Sequence, residues 1–143
     1  GRVMDPETLA LFQAETQALV ESLEAGLLAL QGRPEDRDLV DRVFRDLHTL
    51  KGTGGMFGQT ELAQFVHGFE TAFEGVRSGR MPASTGLLAV ALRAHDHVVA
   101  LLAGQPPDGG EAILADLSDL LSGRARPEAG WRLRFRLPVD TLA

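Results

Sequence analysis

The chain has 143 residues, 44% of them apolar, with 14 Lys+Arg against 20 Asp+Glu for a formal net charge of -6, and it contains no Cys. A chain of this size buries about 70% of its unfolded surface and needs no covalent staples; without Cys it has no disulfide, no thiolate chemistry and no cysteine-based metal site. The acidic balance argues against nucleic acid as a partner. No run approaches 18 apolar residues and no secretory signal is visible, so the expectation is a cytoplasmic domain without membrane insertion.

Taken in chain order, the first helix is predicted over about Pro6 to Gln31, with Asp5 as its cap and Pro6 at its first position. Leu9, Phe12, Thr16, Leu19, Leu23, Leu27 and Leu30 recur at steps of three and four and form its buried stripe. A second helix is expected from Glu35 or Asp36 to about Met56, burying Leu39, Val43, Leu47 and Leu50, with His48 at the border of the stripe. Its end runs through Gly52-Thr53-Gly54-Gly55, where each glycine costs about 1 kcal/mol of helix stability relative to Ala. The third helix covers Thr60 to Arg77, with Thr60 as a credible cap and Leu62, Val66 (or Phe65), Phe69, Phe73 and Val76 facing inward. A fourth spans about Ser84 to Leu102, and a fifth, shorter one about Glu111 to Leu121. The expected architecture is all-α, an antiparallel four-helix bundle with an additional fifth C-terminal helix.

Residues 123–130 read as a linker after a domain over residues 5–122. From Trp131 to Leu137 apolar residues alternate strictly with Arg, a strand pattern with no sheet to join. Residues 131–143 are therefore expected to begin a following segment or domain, the alternative being an extended tail packed on the bundle.

His48, Lys51 and Gly52 stand at i, i+3 and i+4 and so share one helix face. Gly52 removes a side chain beside the imidazole and opens it to a large partner, while Lys51 puts a cation within reach of a negative group carried on the ring. Gly54 and Gly55 would admit a neighbouring helix, and Gly58 fits a helix end. On the third helix His67 and Glu70 form a second i, i+3 pair, and antiparallel packing would bring Glu70 against His48. A carboxylate on one ring nitrogen fixes the tautomer and leaves the other nitrogen nucleophilic. Taken singly, these residues read as ordinary surface polarity, a core-edge histidine and helix-terminal glycines; the combination carries the argument. His95-Asp96-His97 looks like a metal tract, but residues two apart on a helix point away from each other, so chelation is not expected.

Phe44 to Gly58, together with His67-Gly68-Phe69-Glu70, resembles the histidine phosphotransfer (HPt) domain at the N-terminus of CheA, the chemotaxis histidine kinase. The resemblance covers about residues 5–122 and rests on His48-Thr49-Leu50-Lys51-Gly52 followed by small residues and Gly58; Gly54 stands where many members carry Ala. It implies that His48 is the phosphorylated residue and that Glu70 orients it. Lys51 would steady the phosphoryl group, His67 complete the polar network and Gly52 give steric access. It further implies that the domain is a substrate and carrier with no cofactor of its own. ATP and Mg2+ would belong to partner domains: a kinase catalytic domain, in cis or in trans, and a CheY-like or CheB-like response regulator whose Asp receives the group. A chemoreceptor cluster is the implied location. The competing readings are a stand-alone phosphotransfer protein of a multistep relay, a helical interaction module that is not phosphorylated, and, more weakly, a metal-binding bundle.

Overall fold

The computed structural model describes residues 4–122. The expected linker over residues 123–130 and the alternating segment over 131–143 lie outside the described residues. Five helices form in the order α1 (Pro6–Gly32), α2 (Arg37–Met56), α3 (Thr60–Arg77), α4 (Thr85–Leu102) and α5 (Gly110–Leu121).

The ends of these helices follow from local hydrogen bonding. Asp5 accepts from the Thr8 amide at 2.8 Å, Asp36 from Asp38 and Leu39 at 3.0 and 3.2 Å, and Ser84 from Leu87 at 3.1 Å. Each thereby satisfies amides that the first turn leaves orphaned. Thr60 is not the cap expected of it; it is already helical, and Gln59 occupies the cap position without a side-chain bond. The reason lies in how α2 ends. Gly58 adopts φ 75°, its amide donates to the Gly55 carbonyl at 3.1 Å, and the Gln59 amide donates to the Gly54 carbonyl at 2.8 Å, which is a Schellman ending. Gln59 is thus fixed by α2 while its own carbonyl accepts the first bond of α3, from Ala63 at 2.9 Å.

α1 packs on α2 and α4, and α3 packs on α2 and α4, closing a four-helix ring; α5 lies against α3 and α4. Leu23, Leu27 and Leu30 of α1, Val43, Leu47 and Leu50 of α2, Val66 and Phe69 of α3, and Ala91, Ala94 and Val98 of α4 fill the centre. Leu9, expected in the buried stripe, is exposed, and Val20 is buried in addition to it. α1 has 27 residues against 18 to 20 in its three bundle neighbours, so its ends overhang. Phe12, whose ring lies 5.2 Å from Phe57, marks where the packed part begins. α4 is long and apolar enough to meet a length-and-composition test for a membrane span. It is nonetheless a core helix of the bundle, burying Leu87, Leu88, Ala91, Ala94, His95 and Val98.

Glycine marks the closest helix approaches. A Cβ on Gly26 would lie 2.8 Å from Val43 Cγ2, and one on Gly68 2.7 Å from Leu114 Cδ1, where α5 rests on α3. Gly54 leaves room for a methyl, 3.4 Å from Ala63 N and Leu62 Cδ2. Gly55, expected to admit a neighbouring helix, meets nothing within 4 Å. It points to solvent because α3 lies on the Gly54 side.

These contacts set opposing effects against each other. Gly26→Ala gains about 1 kcal/mol of helix propensity but forces a methyl onto a stiff, fully buried Val43, an overpacking cost of about 1–3 kcal/mol. It should lower the melting temperature, whereas Gly55→Ala, opening onto solvent, should raise it. A thermal melt in which Gly26→Ala is the more stable of the two would contradict the close approach of α1 and α2.

Candidate functional site

α2 and α3 run antiparallel from the tight turn at residues 57–59, and the polar residues picked out in the sequence meet on the face between them. Glu70 lies between Val66 and Phe73 in helical register, both buried, so its carboxylate is carried into the packed side of α3 and its side chain is only 9% exposed. A carboxylate in such a place must be bonded or neutralised. Oε2 lies 2.7 Å from His48 Nδ1, and Oε1 lies 2.8 Å from Lys51 Nζ. The two oxygens are therefore divided between the imidazole and the ammonium.

The bond to an ionised carboxylate makes Nδ1 the protonated nitrogen of His48 and leaves the lone pair on Nε2. His48 is 66% exposed in its side chain, and Nε2 has no protein hydrogen-bond partner among the described residues. Gly52, one turn onward, meets nothing within 4 Å of where a Cβ would stand, so the approach along α2 is bare backbone. His67 is also at the site but at its edge: its Nδ1 is 4.0 Å from Glu70 Oε1, too far for a hydrogen bond, and its side chain is 66% exposed.

Burial pushes the Glu70 carboxyl up, but the hydrogen bonds from Lys51 and His48, with the Lys51 charge behind them, outweigh it and hold the group below its ordinary value.

A depression of about 400 Å³ opens on the N-terminal side of His48, lined by Asp41, Phe44, Arg45, Thr49 and Arg77 as well as His48 itself. Sequence reasoning gave none of these neighbours of His48 a role, although Phe44, Arg45 and Thr49 lie in the stretch from Phe44 to Gly58. Asp41, Phe44 and Arg45 do carry a signal, at seven, four and three residues before His48 on one helix face. Arg77 carries none; it arrives from the end of α3, with its guanidinium 4.6 Å above the Phe44 ring.

His95 and His97 take no part. His95 is buried, its Nε2 donating to the Val20 carbonyl at 3.0 Å, and the His97 ring packs 4.5 Å from Phe65. The two rings face different neighbours, and among the described residues no group of three potential ligands converges on a metal position.

The depressed Glu70 value has a stability consequence with a definite sign. The contribution of the ionised, doubly bonded carboxylate is complete above the ordinary value of 4.5 and is lost as pH falls through the lower folded value. The melting temperature should therefore drop between about pH 6 and about pH 3, and by less in Glu70→Gln than in the wild type. Equal drops in the two proteins would mean that the carboxylate is not held ionised by these bonds.

The Hpt domain family model matches residues 7–123. The chemotaxis protein CheA of Borreliella burgdorferi is 34% identical over 116 residues, 81% of this chain and 13% of that protein. CheA of Rhizobium meliloti is 39% identical over 104 residues, 73% of this chain and 14% of that protein. The chain thus spans about a seventh of the length of these curated relatives. Among solved structures, the phosphorylated P1 domain of CheA3 in complex with CheY6 from R. sphaeroides aligns with a TM-score of 0.74 and 25% identity, covering 83% of this chain and 98% of that one. The chain belongs to the Hpt domain family and is homologous to the phosphotransfer domain of CheA.

Proposed function

We propose that the chain is the phosphotransfer module of a chemotaxis-type two-component kinase and that His48 carries the phosphoryl group. The observation that carries this reading is the 2.7 Å bond between Glu70 Oε2 and His48 Nδ1, which leaves Nε2 as an unprotonated nitrogen facing solvent. The similarity to CheA proteins and to a phosphorylated CheA3 domain bound to CheY6 supports it.

The chemistry follows from the tautomer. The Nε2 lone pair forms the new N–P bond as the bond between the γ-phosphorus and the bridging oxygen of ATP breaks, that electron pair leaving with ADP. The Nδ1 proton stays, so the ring becomes cationic, and the Glu70 carboxylate is already placed to stabilise that charge. Onward transfer reverses the logic. A carboxylate oxygen of a response regulator Asp bonds to phosphorus as the N–P bond breaks, and the pair returns to Nε2. Nucleotide and Mg2+ would be held by the partners, a kinase catalytic domain and a CheY-like or CheB-like regulator. In this scheme Lys51 offsets the negative charge of the arriving group, Gly52 clears its path and His67 adds a donor at the rim.

The test is label transfer from γ-labelled ATP by a chemotaxis-type kinase fragment. Wild type should take up acid-labile, base-stable label, and His48→Gln should take up none while melting at nearly the wild-type temperature, because the ring is mostly exposed. Glu70→Ala should slow labelling by about tenfold or more yet still bind a regulator. Absence of label on wild type with several competent kinases would leave the non-phosphorylated interaction module as the reading.

A further inference from the structure

We propose that Arg45 is a further phosphoryl-contacting residue, the cation that grips the phosphoryl group on His48 Nε2 and sets the lifetime of the phosphohistidine. The proposal rests on His48 being the carrier and concerns how the carried group is held.

Long side chains on a helix lean toward its N-terminus, so the His48 ring projects over the turn that bears Phe44 and Arg45, and all three line one depression. A group on Nε2 therefore sits at the mouth of that depression. Phosphorylation adds a charge of about -1.5 to -2 there. The Lys51 ammonium is also bonded to Glu70 at 2.8 Å, so it offsets only part of the new charge.

Two guanidiniums line the depression, and they differ in their commitments. Arg77 is stacked on Phe44, with its Nε 3.8 Å from Asp41 and its Nη1 3.4 Å from Glu74. Arg45 is exposed and makes no ion pair or hydrogen bond among the described residues. Its sequence neighbours of opposite charge are engaged elsewhere, Asp41 with Arg77 and Asp46 with the Ser22 hydroxyl at 2.6 Å. Arg45 is also one turn from His48, the spacing at which helical side chains are neighbours. A free guanidinium offers the forked donors that suit phosphoryl oxygens.

A held cation slows the loss of the group. In hydrolysis a water oxygen bonds to phosphorus while the N–P bond breaks, and the bonding pair returns to the ring nitrogen to give inorganic phosphate. In the loose transition state of that step the phosphoryl oxygens give up charge to phosphorus as the N–P bond breaks, so a guanidinium paired with them stabilises the phosphohistidine more than its departure.

The experiment labels the whole chain with a kinase fragment, removes kinase and nucleotide, and follows phosphohistidine by phosphorus NMR and by label release. In Arg45→Gln hydrolysis should be about three- to tenfold faster than in wild type at low salt, with a shifted phosphorus resonance. The difference should shrink at about 1 M salt, where exposed charges are screened, and Arg45→Lys should restore part of the lifetime. Wild-type lifetime and resonance in Arg45→Gln would overturn the proposal, including the case in which only transfer to a regulator is slowed, which would assign Arg45 to the partner's surface. Failure of wild type to take label at all would instead remove the phosphocarrier reading on which the proposal stands.

Discussion

The carboxylate of Glu70 is the constraint on which the site depends. It sits on the buried side of α3, where an unbonded carboxylate is costly, and among the described residues its two oxygens are satisfied by His48 Nδ1 and Lys51 Nζ, both from α2. Of the two bonds that make Glu70 tolerable, the one to Nδ1 also selects the tautomer of His48. Orientation of His48 thus comes from the same pairing that satisfies Glu70 where α2 and α3 pack. A slip of one residue between the helices would turn the imidazole away and leave the carboxylate buried without a donor.

The register is secured at both ends of the helix pair. At one end the Schellman ending at Gly58 and the immediate start of α3 allow no slack. At the other, Arg37 in the first turn of α2 donates to the carbonyls of Val76 and Arg77, satisfying orphaned groups at the end of α3. His48 and Glu70 lie between these clamps, and the core on either side of Glu70, with Val66, Phe69 and Phe73 almost fully buried, resists rotation of α3. The helices that bear no site residue contribute by supplying the other half of that core.

Much of this was legible in the sequence, for physical reasons that differ by residue. Asp5, Asp36 and Ser84 are short polar side chains placed just before an apolar period, and each caps a helix as such residues do. The pairing across the hairpin was legible as well. His48 and Glu70 stand eleven residues to either side of Gln59, Lys51 and His67 eight, so a tight turn there brings each pair level. What could not be read depends on tertiary placement. Leu9 fits the stripe as well as Leu23 does, and only the overhang of α1 exposes it. Gly54 and Gly55 are equivalent in sequence, yet one faces α3 and the other solvent. The place of Arg77 beside His48 follows from where α3 ends, which no local pattern announces. Thr60 was misread because local cap preference yielded to the geometry of the preceding turn.

The pairing of Glu70 with Lys51 also resolves an electrostatic conflict that the proposed reaction would otherwise meet. Orienting a histidine through Nδ1 calls for a carboxylate, but a bare carboxylate beside His48 would repel an incoming phosphoryl group, in a chain whose net charge is already -6. Lys51, the only lysine in the sequence, removes that obstacle by bonding the oxygen that His48 does not use. The resting pair is close to neutral, so the carboxylate acts on the imidazole at short range while little of its field extends to the Nε2 side. In the proposed reaction the ring becomes cationic on phosphorylation, and the same carboxylate is then 2.7 Å away and shielded from water on its other side. Its charge is therefore muted toward the approaching group and available to the ring at the moment the ring needs it. That asymmetry requires both partners of Glu70 to come from one turn of α2, which is what the three-residue spacing of His48 and Lys51 provides.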